Sequence, residues 1–441
     1  MVKPGYKQTE VGEIPEDWDI QELQSVLLEP MQNGLFYEPS RKGLGVKLIN
    51  VGDLYTGAPI KNEKLELFDA TISEKKVFKV YSGDLFFTRS SVVPSGIAYC
   101  NLYNSNKDED VVFDSHLIRA RVNPIIAHSK FVYLNCLTNA VRGYLVASAK
   151  TATMTTIDQQ ALKKCPVVLP KLIEQKAIAK ALSDMDELIV SLEKLIAKKR
   201  DIKTATMQQL LTGKKRLLGF GKGKGYKQTE LGKIPEDWDV QNIGSFTDCT
   251  AGGTPSTTVT AYWGGDNPWM SSGELHLKQV KDVEARITDL GLKNSSTKYV
   301  PRLCVLMGLA GQGKTRGTVA VNEIELCTNQ SIAAIFPSDK HNTYFLFYNL
   351  ETRYEELRGM STGDGGRGGL NLTIIRKIRI AMPSIEEQES IVSVLLDIDK
   401  EIECLGQRLH KTKAIKQGMM QELLTGRTRL VSSNIGPGEC Q

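Results

Sequence analysis

Two stretches of the chain carry apolar residues at the spacing of a seam-forming helix. In the first, Ile178, Leu182, Met185, Ile189, Leu192 and Ile196 follow in steps of 4, 3, 4, 3 and 4. In the second, Ile391, Leu395, Ile398, Ile402, Leu405 and Leu409 repeat those steps, each position 213 residues further on. A step of 3.5 on average keeps one stripe of a helix apolar, so both stretches predict long helices that bury that stripe against a partner. Both close on nearly the same phrase, QQLLTGKKRL and QELLTGRTRL. Two copies of one apolar face in a single chain have an economical partner in each other.

Charge predicts the direction of that pairing. The first helix begins acidic (Asp184, Asp186, Glu187, Glu193) and ends basic (Lys194, Lys198, Lys199, Arg200, Lys203). The second runs the same way, from Asp397, Asp399, Glu401 and Glu403 to Arg408, Lys411, Lys413 and Lys416. Parallel helices would oppose like charges, whereas antiparallel helices oppose unlike charges at both ends. Reach agrees: the connection 212–224 spans at most ~45 Å, shorter than the ~50 Å of a 34-residue helix.

The remainder is duplicated too. GYKQTEVGEIPEDWDIQELQS at Gly5–Ser25 returns as GYKQTELGKIPEDWDVQNIGS at Gly225–Ser245, with 15 of 21 positions identical. Each half therefore reads as a short motif, a globular segment and a long helix. The boundaries predicted are 1–170 for the first globular domain, 171–212 for its helix, 213–224 for a basic Gly-rich linker, 225–383 for the second domain, 384–426 for its helix and 427–441 for a tail. The two globular segments share a pattern: a strand, a Gly/Ser/Thr-rich basic loop and another strand (DLFFTRSSVVPSGIAYC against LCVLMGLAGQGKTRGTVAV), then a polar turn and a strand (DSHLIRARV against TNQSIAAIF). Each ends on a strand running into Pro170 or Pro383. The fold class is mixed α/β, with two domains of similar fold and a pseudo-twofold repeat. Ser384 with Glu387 suits a capping box for the second helix, while Lys171 holds the equivalent cap position in the first.

Composition narrows the chemistry. Of 441 residues, 41% are apolar and the net charge is +5, compatible with nucleic acid without requiring it. No apolar run reaches membrane-spanning length, and the first residues lack a hydrophobic signal core, so a cytoplasmic location is expected. The eight cysteines form no Cys-x-x-Cys pair and have no histidine at metal spacing, which argues against a zinc site or a disulfide framework. No metal site and no catalytic constellation is predicted: His116, His128, His276, His341 and His410 are isolated from one another in the sequence.

Gly308–Thr315 (GLAGQGKT) has the spacing of a nucleotide-binding P-loop. A true P-loop requires a following helix whose amides face the phosphate, and Arg316-Gly317-Thr318-Val319 is β-like. The preferred reading is a basic, Gly-rich loop between strands that can approach a DNA backbone. A P-loop NTPase with a coiled-coil arm is the alternative, and a scaffold whose domains bind protein is a third reading. Asp266-Asn267-Pro268-Trp269 lacks the second proline of an amino-methyltransferase motif, so Trp269 reads as core packing. What remains is a set of polar and basic loop residues at matching places. In the first domain these are Arg41, Lys42, Lys47, Arg89, Ser90, His116, Arg119 and Lys150. In the second they are Thr254, Trp263, Ser271, Gln312, Lys314, Thr315, Arg316, Asn329, Gln330 and Arg367. These are the residue types that meet phosphates and base edges.

Taken together, the doubled GYKQTE-x-G-x-IPEDWD, GGTP…YWGGDNPWMSSGEL at Gly252–Leu275, GQGKTRG at Gly311–Gly317 and the doubled LLTG after a long helix resemble the specificity subunit of type I restriction–modification systems. The resemblance covers essentially the whole chain, although the first domain lacks the GGTP…WGGD and GQGKTRG versions of its loops. It implies two target recognition domains, each reading one half of a bipartite, asymmetric DNA target, and spacer helices paired as an antiparallel coiled coil. It further implies a non-enzymatic chain with no cofactor of its own. Two methyltransferase subunits would bring S-adenosylmethionine, and restriction subunits would bring ATP and Mg chemistry.

Overall fold

The structure, a computed structural model, describes residues 2–105, 107, 109–151, 154–311, 313–360 and 369–431. The chain divides into two compact units, Met1–Glu193 with Arg408–Gln441, and Lys194–Gln407.

The first unit opens with β1 (Tyr6–Thr9), β2 (Gly12–Pro15), β3 (Asp19–Glu22) and β4 (Gln32–Asn33). It continues through β5 (Lys42–Ile49), β6 (Glu66–Phe68), β7 (Asp84–Thr88), β8 (Ser90–Ser91) and β9 (Cys100–Leu102). It closes with β10 (Val111–Phe113), β11 (Leu117–Arg121), β12 (Lys150–Thr151), β13 (Thr155–Thr156) and β14 (Pro166–Leu169). Strands β1 and β2 form a hairpin, and β14 pairs with β3. The central sheet runs β4-β11-β7-β9, a second sheet runs β10-β5-β6 with β10 and β5 parallel, and a third runs β12-β13-β8. Strand β7 (DLFFT) is buried at every position, which is why it reads as a continuous apolar run rather than an alternating one.

The second unit repeats this plan. Its strands are β15 (Tyr226–Thr229), β16 (Gly232–Pro235), β17 (Asp239–Asn242), β18 (Cys249–Ala251), β19 (Trp263–Met270), β20 (Gln279–Val280) and β21 (Arg286–Ile287). Then come β22 (Tyr299–Val300), β23 (Val305–Gly308), β24 (Val319–Asn322), β25 (Leu326–Thr328), β26 (Ile332–Ile335) and β27 (Arg379–Met382). The hairpin β15-β16 and the pair β17-β27 match β1-β2 and β3-β14. The sheet β18-β26-β23-β24-β20 matches β4-β11-β7-β9 with one strand added. In the sheet β21-β19-β25-β22, β19 and β25 are parallel, as β5 and β10 are. The mixed α/β reading and the similarity of the two domains are both seen.

Among the helices, α1 (Ser129–Cys136), α2 (Leu172–Leu210), α3 (Thr343–Thr352) and α4 (Ile385–Leu423) carry the contacts described below. The seam residues divide by position. Ile178 and Leu182, the first two of α2, are in the core of the first globular unit, together with Leu423 and Leu424 from the end of α4. Ile391 and Leu395 join Met207, Leu210 and Leu211 in the core of the second. Leu192 and Ile196 are buried, and Met185, Ile189, Ile398, Ile402, Leu405 and Leu409 are half-buried. Within each unit the two helices run antiparallel, held by the ion pairs that charge patterning anticipates. In the first, Lys416 meets Asp186 at 2.5 Å and Lys413 meets Glu193 at 2.7 Å. In the second, Lys203 meets Asp399 at 2.8 Å and Lys199 meets Glu401 at 2.7 Å. They range from exposed (Lys413–Glu193) to half-buried (Lys203–Asp399), and pairs near the surface contribute about 1 kcal/mol or less each, so they select direction more than they add stability.

His341, just before α3, is buried against the ring of Phe246, with Nδ1 2.9 Å from Ser338 Oγ. Burial holds its pKa down at about 4, against 6.5 for a free imidazole. A depressed histidine leaves the unfolded chain binding more protons, so stability is full above pH 6.5 and falls as the pH drops towards 4. The expected loss is about 2–3 kcal/mol over that window. Urea unfolding at pH 7 and pH 4.5 checks this, with His341→Asn expected to flatten the difference.

Candidate nucleic-acid interface

In both units a strand of the central sheet delivers the chain to a loop, and one polar turn holds that loop in place. In the first unit the turn is Asp114-Ser115-His116, in which Asp114 Oδ1 accepts from the His116 amide at 2.7 Å. In the second it is Asn329-Gln330-Ser331, in which Asn329 Oδ1 accepts from the Ser331 amide at 3.1 Å. These side chains close a local turn that the backbone alone would leave open. The amide of Arg89, first residue after β7, donates to His116 O at 2.8 Å. The amide of Leu309, first residue after β23, donates to Ser331 O, also at 2.8 Å. The loops 89–99 and 309–318 are therefore structural equivalents.

Both loops are braced from behind. Arg142 donates to the carbonyls of Ser95, Ile97 and Ala98 at 2.9, 2.9 and 2.7 Å. In the second unit Arg358 donates to Gly313 O, and Tyr354 Oη donates to Lys314 O at 3.3 Å. Bracing of this kind lowers the conformational cost of engaging a ligand.

The sequence-predicted residues sort into two groups around this frame. Arg89, Ser90, His116 and Lys150 come together: Ser90 and His116 line one groove, and Lys150 lies on the sheet that β8 shares with β12 and β13. Arg89 is exposed and its guanidinium has no partner among the described residues. His116 Nδ1 lies 2.8 Å from Asp114 Oδ1, and Lys150 reaches Asp158 at 3.2 Å while staying largely exposed. The other four are paired within the unit. Arg119 is buried, bonded to Glu29 at 2.6 Å and to Lys79 O at 2.7 Å, and burial lowers its pKa. Arg41 lies over Phe68, and its bond to Glu74 holds that carboxyl down at about 2. Lys42 pairs with Glu66 at 2.8 Å, and Lys47 donates to Leu65 O at 3.3 Å.

In the second unit Lys314 is exposed, and Thr315 and Arg316 are half-buried. Thr254 Oγ1 donates to Gln330 Oε1, beside Asn329 in the turn. Ser271 caps a short 3-10 turn together with Glu274. The Trp263 indole donates to Ser256 O at 3.1 Å, and its ring stands edge-on to Trp269. Trp269 is buried, as expected, and donates to Gly253 O at 3.0 Å. Gln312 and Arg367 lie outside the described residues. The phosphate cradle of the alternative reading is not formed, because from Thr315 the chain turns and enters β24 instead of a helix.

The duplicated phrases have a role that the sequence reading missed. In the first unit Arg429 donates from Nε and Nη2 to the Glu174 carboxylate at 2.6 and 2.8 Å, and from Nη1 and Nη2 to Asp17 at 2.9 Å. The Trp18 indole donates to the same Glu174 at 3.2 Å, and the guanidinium lies over the Trp18 ring. In the second unit Arg216 holds Glu387 at 2.5 and 2.7 Å and Asp237 at 2.9 and 3.1 Å, while Trp238 donates to Glu387 at 3.1 Å. Gly426 and Gly213 sit in the left-handed region at φ 69° and 67°, and a Cβ on either would strike Pro15 or Pro235 at 2.4 Å. IPEDWD of one copy is thus clasped by LLTG-x-x-R of the other. Glu387 spends its carboxylate on this clasp, so the predicted capping box keeps only its Ser384 half, whose Oγ accepts from the Glu387 amide at 3.4 Å. Two phrases that recur together were the available signal.

One carboxylate per unit also ties the globular part to both helices. Asp186 of α2 bridges Lys130 of α1, at 3.1 Å, and Lys416 of α4. Asp399 of α4 accepts from Tyr348 of α3 at 2.6 Å and pairs with Lys203 of α2.

Residues 15–203 and 235–413 each match the type I restriction modification DNA specificity domain. The chain belongs to the type I restriction–modification specificity subunits. Relatives of this specificity subunit span its length. It is 27% identical to a putative type I restriction enzyme MjaX specificity subunit of Methanocaldococcus jannaschii, over 96% of this chain and 97% of that one. It is 20% identical to the HindI specificity subunit of Haemophilus influenzae, over 79% and 88%. The fold is similar to that of the type I system S subunit from M. genitalium, with a TM-score of 0.57 and 15% identity, covering 92% of this chain and 96% of that one. Specificity subunits are non-catalytic, with methylation and cleavage carried by partner subunits. No helix among the described residues is long and apolar enough to cross a membrane.

Removing the clasp arginine leaves a carboxylate that is 3% exposed in each unit, with only an indole to meet it. Arg429→Ala and Arg216→Ala are each expected to cost about 3 kcal/mol or more, read by urea denaturation. Lysine at either position should restore little of this, because it cannot bond two carboxylates through one planar fork. Equal stability of Ala and wild type would show that the clasp does not stabilise its unit.

Proposed function

We propose that each globular domain of this specificity subunit reads one half of a bipartite, asymmetric DNA target. The observation that carries this reading is the pair of equivalent braced loops. Their anchoring bonds are the same, but their sequences differ: RSSVVPSGIA in one and LAGQGKTRGT in the other. One scaffold presenting two unlike loops suits the reading of two unlike half-sites. The contact set is Arg89, Ser90, His116 and Lys150 on one domain, and Lys314, Thr315 and Arg316 with the Thr254–Gln330 turn on the other. The antiparallel helices would set the spacer between half-sites and dock two methyltransferase subunits, with restriction subunits joining the full complex. S-adenosylmethionine, ATP and Mg would then belong to those partners. The location is cytoplasmic, where the DNA is.

Phosphate contacts are read through salt. Arg89→Ala and Lys314→Ala should each weaken DNA binding by the complex with its methyltransferase subunits and lower the slope of log K against log salt by about 1. Lost ATP binding with unchanged DNA affinity would favour the NTPase alternative instead.

The helices have their own test. Four residues inserted into α2 should change the spacer length that is methylated, as read by methylome sequencing, and leave both half-sites as they were. A change in the half-site bases would contradict the ruler.

A further inference from the structure

The loop 89–99 carries its most exposed apolar residues at its tip. Val92 is 83% exposed and Val93 58%. Isolated exposed valines are ordinary, but these two are held out by the loop's own bonding. Ser91 Oγ donates to Val93 O at 2.7 Å and accepts from the Val93 amide at 3.2 Å, which fixes the turn beneath them. Tyr55 Oη and Thr88 Oγ1 each donate to Gly96 O at 2.8 Å, and Arg142 holds the carbonyls on either side of that glycine. Ala98 adopts φ 48°, a strained conformation for a residue with a Cβ, at the point where the loop returns to the sheet. So much fixing, with no burial of the tip to show for it, implies that the ordering serves something outside the unit.

The valines border an open groove of about 590 Å³, lined also by Tyr55, Tyr99, His116 and Met154. Its lining is mainly apolar, yet cations stand beside it. Arg89 immediately precedes β8, and Lys150 lies on β12 of the same small sheet. Apolar lining beside Arg89, unpaired among the described residues, and the exposed Lys150, whose partner is the surface carboxylate of Asp158, fits DNA that offers phosphates at the margin and a hydrocarbon group at the base edge. In the major groove only thymine offers one, its 5-methyl group. The equivalent segment of the other domain, LAGQGKTRGT, carries no valine.

We propose that Val92 and Val93 read the 5-methyl group of thymine, so that the half-site of the first domain contains at least one thymine recognised by its methyl and not by hydrogen bonding. The inference rests on the DNA-reading role proposed for the domain and adds the chemistry of one contact.

The test uses the complete complex with its methyltransferase subunits and a duplex carrying the motif found by methylome sequencing, with deoxyuridine replacing each thymidine in turn. Uracil keeps every hydrogen bond of thymine and lacks only the methyl. At one position or more the replacement should weaken wild-type binding about fourfold, the worth of one buried methyl. The Val92→Ser/Val93→Ser variant should bind thymine and uracil alike there, and keep full sensitivity to replacements in the other half-site. Both side chains are exposed, so the variant should fold, and retained assembly with the methyltransferase subunits verifies that. Tight wild-type binding with no position whose uracil penalty the variant removes would overturn the thymine contact and leave the DNA-reading role standing. Failure of the wild-type complex to prefer its motif over unrelated duplex would overturn that role itself.

Discussion

Glu174 and Glu387 are carboxylates almost wholly withdrawn from water, and the architecture depends on how each is answered. A buried, unpartnered carboxylate would cost several kcal/mol. Each is instead met by an arginine fork and an indole N–H, with an aspartate sharing the guanidinium. Arg429 pulls the Asp17 carboxyl below its usual range, and Arg216 does the same to Asp237. A bidentate guanidinium demands a fixed approach angle. The clasp therefore sets direction as well as attachment: the end of one long helix can leave its neighbour's hairpin in only one way.

The antiparallel ion pairs result from that constraint. Once the end of α4 is seated beside the start of α2, and the end of α2 beside the start of α4, acidic and basic stretches face each other without further adjustment. The pairs at Asp186 and Asp399 then extend the bracing outward, since each carboxylate also takes a donor from the globular part. Individually these are half-buried contacts of modest strength. As a set they tie α1 or α3 to both long helices, so each globular part stands on a fixed base.

The two braced loops differ in sequence although the bonds that support them repeat. The turns at Asp114 and Asn329 and the amide bonds from Arg89 and Leu309 keep the two loops in register with their sheets, and Arg142 and Arg358 hold their backbones. The scaffold leaves loop side chains free to differ, so a valine-bearing sequence follows Arg89 and a glycine- and lysine-bearing one follows Leu309. Membership of the specificity-subunit family accords with this division between constant support and variable reader.

Much was legible in the amino-acid order alone, because it rests on periodicity and charge. The 4-3 steps determined the two long helices, acid-first and base-last patterning determined that they run antiparallel, and the repeated phrases determined two domains of one design. Tertiary structure decided which polar residues are spent within the fold. Arg119 and Arg89 look alike as letters, but the first is buried against Glu29 and the second stands exposed, a distinction set by strand register and burial. It also decided what the repeats are for: Asp17 and Arg429 are 412 residues apart, and no local pattern brings a hairpin at one end of the chain to a helix terminus at the other. That meeting comes from the closure of the whole chain, which buries Trp18 and Trp238 and leaves the charge of each glutamate to the arginine of the opposite copy.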